Sequence, residues 1–248
     1  MDKRFVGKRA IVTGTASGIG RAVAQRLAAE GAHVACVDRQ DPAVTVTSIA
    51  NGGGKAFGLT CDVSNSEAAK AMVESAAALL GGVDVLCNIA GIGKFWNSHE
   101  WDPAHFDKII GVNLAGTYYC AAAALPYLLE SKGNIVNTAS TAGVMGQPWS
   151  AAYCASKGGV VMLTKALATE YQARGVRINA VAPGGTDTNI INSFAPPSDP
   201  NYELMKKMVS PMGYSSPDTM AGLFAFIASD EASYMTGSVV AMDGGITA

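Results

Sequence analysis

The sequence predicts an α/β fold, a single doubly wound parallel-sheet domain of about seven strands with helices on both faces. Three observations predict it. Short apolar runs rich in β-branched residues alternate with longer amphipathic runs along the whole chain. Several short runs are apolar without alternation, as parallel strands covered on both faces are. The first of them leads directly into a glycine-rich turn, TGTASGIG at 13–20, which opens the first helical pattern.

Taken in order, RAIVTG (9–14) is the first predicted strand and 18–30 the first helix. HVACVD (33–38) is the second strand, followed by a weaker helical pattern at 42–51 and a third strand, KAFGLTCD (55–62). A helix at 64–80, the strand VDVLCNIAG (83–91) and one long helix at 102–131 come next. GNIVNTAS (133–140), a helix at 151–174, VRINAVAPG (176–184), a helix at 216–229 and SVVAMDGG (238–245) complete the alternation. The irregular stretch is 184–215, which holds Pro196, Pro197, Pro200 and Pro211. It follows a strand end, where ligands sit in open α/β sheets, so it is expected to form a substrate lid rather than a surface excursion. No repeat, linker or composition break divides residues 1–248.

The chain has 248 residues, 49% hydrophobic and 15% charged, with a formal net charge of -2, enough apolar content for a large core. No block of Lys or Arg invites nucleic acid or an anionic membrane. The longest apolar run, Tyr118 to Leu129, is too short to span a bilayer and contains Pro126. Five scattered cysteines without a C-x-x-C pair imply free thiols and a cytoplasmic setting. His33, His99 and His105 do not cluster, so no metal site is expected.

In the turn, Gly14, Gly18 and Gly20, with Ser17 and Ile19 between them, let the backbone approach a pyrophosphate closely. The positive end of the following helix then faces the anion. Asp38, the last residue of the second strand, is placed to accept hydrogen bonds from ribose hydroxyls and to repel a 2′-phosphate. Arg39 tempers that repulsion, and Ser17 brings no positive charge. NAD is therefore predicted over NADP.

YCASK (153–157) sets a phenol and an amine four positions apart, on one face of a helix. An ammonium about 4 Å from the phenolate stabilises it by about 4 kcal/mol at an effective dielectric of about 20. That predicts a Tyr153 pKa lowered by about three, to near 7, where a general acid–base group works best.

TGTASGIG, CDV (61–63), NIAG (88–91), Asn113, Ser140, YCASK and PGGTDT (183–188) together resemble the short-chain dehydrogenases/reductases, in family order and over essentially the full chain. The resemblance implies a Rossmann domain that moves a hydride between nicotinamide and a secondary alcohol or ketone. It implies Tyr153 as proton donor and acceptor, Lys157 as its activator and a ribose ligand, and Ser140 as the hydrogen-bond partner of the substrate oxygen. Asn113 resembles the residue that holds a water in the proton relay. Asp62 and Val63 would face adenine, while Asn88, Ala90 and Gly91 would line the dinucleotide. Pro183, Gly184, Thr186 and Thr188 would hold the nicotinamide end. Ile89 stands where the family usually has a second Asn.

For the substrate, Phe95, Trp96, Trp149, Phe194, Met205, Met208 and Met212 suggest a partly apolar pocket, with Gln147 as a polar contact; they serve equally well as lid or interface packing. The family also implies a homotetramer built through 112–129, 155–171 and the C-terminal segment. Two other readings stay open. One is an NADPH-dependent 3-oxoacyl-carrier-protein reductase, with Lys132 and Arg174 as docking cations. The other is a non-catalytic dinucleotide-sensing regulator, though such proteins typically lack the Tyr or Lys retained here. No G-x-S-x-G elbow supports a serine hydrolase, and a sugar-nucleotide epimerase needs more chain after Gly184.

Overall fold

The computed structural model describes residues 3–248. Its strands are β1 (Arg9–Thr13), β2 (His33–Asp38), β3 (Lys55–Thr60), β4 (Val85–Asn88), β5 (Asn134–Thr138), β6 (Arg177–Pro183) and β7 (Val239–Met242). They form one parallel sheet in the order β3-β2-β1-β4-β5-β6-β7. The order reverses between β1 and β4. The chain leaves these two strands in opposite directions, and a crevice opens beyond their carboxyl ends.

Alternation along each strand decides what covers it. In β1, Ala10 and Val12 pack under α1 (Gly18–Ala29) and α8 (Pro217–Ala228), joined by Ile49 of α2 (Ala43–Asn51). Ile11 points the other way, toward α3 (Ser66–Leu80) and α5 (Gly116–Ser131). Both faces of the inner strands are thus dry, and each buried Ile, Leu or Val contributes about 1.5–3 kcal/mol. α6 (Ala151–Tyr171) covers β6 through Val160 and Val161, which pack on Ala180 and Ala182. Cys36, Cys61, Cys87 and Cys120 are buried free thiols, and Cys154 is free and partly exposed.

The predicted helix at 102–131 is not uniform. α4 (Pro103–Ile110), capped by the Asp102 side chain on the His105 N–H, passes into one π-helical turn, Gly111–Ala115, before α5. Such turns are frequent at functional sites, and this one carries Asn113. The helical stretch Pro103–Ser131 is long and apolar enough to cross a bilayer by length and composition. Here its apolar face, with Cys120, Ala124 and Leu128, lies against the sheet.

Segment 184–215 contains a 3-10 turn, Asn189–Ser193, and the short helix α7 (Tyr202–Lys206). Its ends meet at the Thr186–Ser215 bridge, where Asp187 N–H donates to the Ser215 carbonyl at 2.9 Å and Ser215 N–H to that of Gly185 at 2.9 Å. Behind α1, the buried Glu30 carboxylate receives Arg4 Nε at 2.6 Å and Nη2 at 2.8 Å, and also bonds Arg26.

Candidate active site

A cleft of about 700 Å³ lies beyond the carboxyl ends of β1 and β4. Its floor is the glycine turn. Gly14 has φ +75°, in the left-handed region, and a Cβ there would come within 2.9 Å of the Ala90 nitrogen. At Gly20 a Cβ would lie 2.0 Å from the Gly14 carbonyl oxygen. The Thr13 hydroxyl clamps the same crossing, accepting from Ile89 N–H at 2.9 Å and Ala90 N–H at 3.1 Å. Ser17 caps α1 without a side-chain hydrogen bond, which leaves the first-turn N–H groups of α1 available to an anion. This bare backbone cradle fits a dinucleotide pyrophosphate.

Asp38 closes one end of the cleft, accepting from Ala16 N–H and Gln40 N–H, each at 2.9 Å, with Arg39 beside it. Asp62 is held below the usual carboxylate range, chiefly by the Ser64 hydroxyl, with Arg39 and Lys108 adding charge. Gly18, Ile19, Val63, Ala90 and Gly91 complete the wall on this side. Pro183, Gly184, Thr186 and Thr188 line it opposite, with Thr188 Oγ1 donating to the Thr186 carbonyl at 3.2 Å.

Two predicted dinucleotide and relay residues stand behind the wall instead of in it. Asn88 is buried, its Nδ2 donating to Asn137 Oδ1 at 3.0 Å. Asn113 is wholly buried, and its amide is spent on the loop after β4. It accepts from Ile92 N–H at 2.8 Å and donates to the Ile92 carbonyl at 2.9 Å and Ser156 Oγ at 3.0 Å. A Cβ on Gly91 would lie 3.3 Å from Asn113 Oδ1 and 3.5 Å from Lys157 Nζ, so both groups press against that loop.

Ser140, Tyr153 and Lys157 converge in the same cleft. Ser140 Oγ accepts from Ala142 N–H at 3.2 Å, which leaves its own O–H free to donate. Lys157 is buried and donates to the Thr138 carbonyl at 2.7 Å, with Nζ 5.8 Å from the Tyr153 ring centroid. Burial pushes the Lys157 ammonium down to about 8. It pushes the Tyr153 phenol up to about 12, with the Ser140 hydroxyl pulling the other way. Burial thus pushes the phenol in the direction opposite to the expected fall to near 7. Desolvation outweighs the attraction of an ammonium that is itself desolvated and tied to a carbonyl.

Among the predicted substrate contacts, Phe95 and Gln147 line the cleft, with Gln147 Nε2 donating to Thr141 Oγ1 at 3.1 Å. Phe194, Met205 and Met208 join them, and Met212 is exposed. Trp96 and Trp149 do not reach the wall. Trp96 packs with Lys94 and His105 at 4.3 Å and 5.4 Å. Trp149 backs Phe95 at 6.0 Å, and its carbonyl accepts from Trp96 N–H at 2.7 Å. Lys132 and Arg174 precede β5 and β6, at the amino ends of the strands and away from the cleft at their carboxyl ends, so neither is a docking cation beside it. Sequence reasoning missed the Thr13 clamp, the Thr138 carbonyl and a rim of Lys94, His105 and Lys108, in which burial and the two lysines hold the imidazole below its usual value. Only the rim had a signal, two basic residues three apart at 105 and 108.

The family described as enoyl-(acyl carrier protein) reductase matches residues 14–247. The chain is 37% identical over 254 residues to 2-(S)-hydroxypropyl-CoM dehydrogenase 3 of Xanthobacter autotrophicus, covering 100% of both. It is 38% identical over 246 residues to meso-2,3-butanediol dehydrogenase of Serratia marcescens, covering 99% of this chain and 96% of that one. Its fold matches 3-ketoacyl-(acyl-carrier-protein) reductase from Brucella melitensis complexed with NADH, with TM-score 0.88, 34% identity and coverage of 98% and 100%.

Proposed function

Because this chain belongs to the short-chain dehydrogenase/reductase family and is an oxidoreductase acting on CH–OH groups, we propose that it is NAD(H)-dependent, with Tyr153 as general acid–base for a secondary alcohol or ketone. The observation that carries this reading is the meeting of Ser140, Tyr153 and Lys157 in a cleft floored by a bare backbone cradle. A bound nicotinamide dinucleotide supplies the hydride acceptor or donor.

The protein's own residues supply the proton and the orientation. In reduction, Tyr153 gives its proton to the substrate oxygen while the free Ser140 O–H donates to the same oxygen as charge develops. A phenol held near 12 is protonated at neutral pH, so the folded site is set as a proton donor. In oxidation, Tyr153 accepts the alcohol proton, and Lys157, fixed on the Thr138 carbonyl, opposes the phenolate charge. Asn113 acts by bracing the loop that lies against Lys157. Segment 184–215 closes over the substrate, in one domain with the sheet.

NAD over NADP rests on Asp38, whose carboxylate at the end of β2 disfavours a 2′-phosphate. The exposed or half-buried apolar side chains Tyr118, Met162 and Tyr119 of α5 and α6 suit a homotetramer, and the free thiols suit the cytoplasm. Tyr153→Phe is expected to abolish ketone-dependent NADH oxidation while NADH still binds by fluorescence. Full turnover in that variant would refute the role. The family description and the Brucella structure keep 3-oxoacyl-carrier-protein reduction as the second reading.

A further inference from the structure

Segment 184–215 brings one aromatic side chain onto the reacting phenol. Phe194 sets its ring 5.2 Å from the Tyr153 ring and 5.0 Å from Phe95, both edge to face. Two features seat it there. Ser193 Oγ, one residue earlier, lies 2.6 Å from both the Gly93 and the Ile190 carbonyl oxygens, which share its one proton. Gly93 itself provides the space, since a Cβ at that position would lie 2.1 Å from Phe194 Cζ. Trp149 in turn packs edge to face on Phe95, with ring centroids 6.0 Å apart. The result is an apolar corner of the cleft, walled by the edges and faces of Phe95, Phe194 and the Tyr153 ring itself. Such a corner gains from a substrate that presents a ring of C–H groups or a π face, and a short open chain satisfies little of it.

We propose that Phe194 is a specificity-determining residue that makes this site select ring-bearing ketones and secondary alcohols, alicyclic or aromatic, over short acyclic ones. The inference rests on Tyr153 being the group that protonates the substrate, because only then does a ring against Tyr153 bear on substrate choice. Phe194 carries no proton to exchange, so its effect falls on KM more than on kcat.

The test compares kcat/KM for cyclohexanone and butan-2-one in the unaltered protein, Phe194→Ala and Gly93→Ala. The cyclohexanone to butan-2-one ratio is expected to fall about tenfold in Phe194→Ala. Gly93→Ala keeps the ring but displaces it, and is expected to lower the ratio in the same direction. An unchanged ratio, or an equal loss on both substrates, would overturn the proposal. A readout without turnover separates this from the acid–base assignment. In a Tyr153→Phe background, saturation-transfer NMR is expected to show cyclohexanone contact that Phe194→Ala removes. Contact that survives the truncation would overturn the subsite, whereas turnover by Tyr153→Phe would remove the reading beneath it.

Discussion

Replacing Lys157 by Met should stabilise the dinucleotide-free protein while it destroys activity. The ammonium is 3% exposed, and burial pushes it from 10.5 down to about 8. At about 1.4 kcal/mol per pKa unit, holding it charged at neutral pH costs the folded state about 3 kcal/mol. Met fills a similar volume without a charge, but it forfeits the 2.7 Å bond to the Thr138 carbonyl. A hydrogen bond from a charged donor contributes about 1.5–3 kcal/mol, so a net gain of about 1 kcal/mol remains, or about 2–4 °C in Tm. The pH dependence carries the sharper signature. The folded pKa lies below the unfolded one, so the unfolded chain binds more protons between about 8 and 10.5, and the unaltered protein gains stability as pH rises through that window. Lys157→Met lacks this slope. The two are compared by urea unfolding at pH 7 and pH 10, with NADH oxidation measured in parallel. A variant that is less stable at pH 7, or curves that stay parallel to pH 10, would refute the assignment of burial as the dominant force on Lys157.

Asp38→Ser should raise the NADP to NAD ratio of kcat/KM by about tenfold or more, since one like-charge contact with a phosphate is removed; an unaltered ratio would place cofactor choice elsewhere. Glu30→Gln should cost about 3 kcal/mol, because it leaves Arg4 and Arg26 facing a neutral amide in a buried position. Desolvation opposes ionisation of Glu30, but its arginine bonds outweigh it and hold the carboxyl below 4.5. The advantage of the unaltered protein over Glu30→Gln is therefore full above about 4.5 and shrinks as pH falls below it, which urea titrations at pH 7 and pH 3.5 would read.

The sheet was legible because its inner strands are dry on both faces, so runs such as RAIVTG and HVACVD announce themselves by composition alone. The glycine turn was legible for a related reason: a backbone crossing at 2.0 Å from an added Cβ admits one residue type. What stayed hidden depends on orientation. A π-helical turn inserts no unusual residue, so 102–131 reads as one helix, and nothing in the chain shows that Asn113 turns its amide to Ile92. The i, i+4 spacing of Tyr153 and Lys157 was correct, yet spacing says nothing about solvent. Desolvation then reversed the expected direction for the phenol. Trp96 and Trp149 had the right chemistry and sequence neighbourhood for the pocket, but neither lines it: Trp149 packs on Phe95, and Trp96 on Lys94 and His105.

The single bridge between Thr186 and Ser215 fastens both feet of the excursion that follows β6 to one spot on the scaffold. A hoop anchored this way can be lengthened or recomposed between its feet without pulling on the sheet, since the entropy of closing it grows only as the logarithm of its length. The architecture thus divides labour by attachment point. The stretch between the feet can change its residues while the glycine turn, Ser140, Tyr153 and Lys157, all outside it, stay in place.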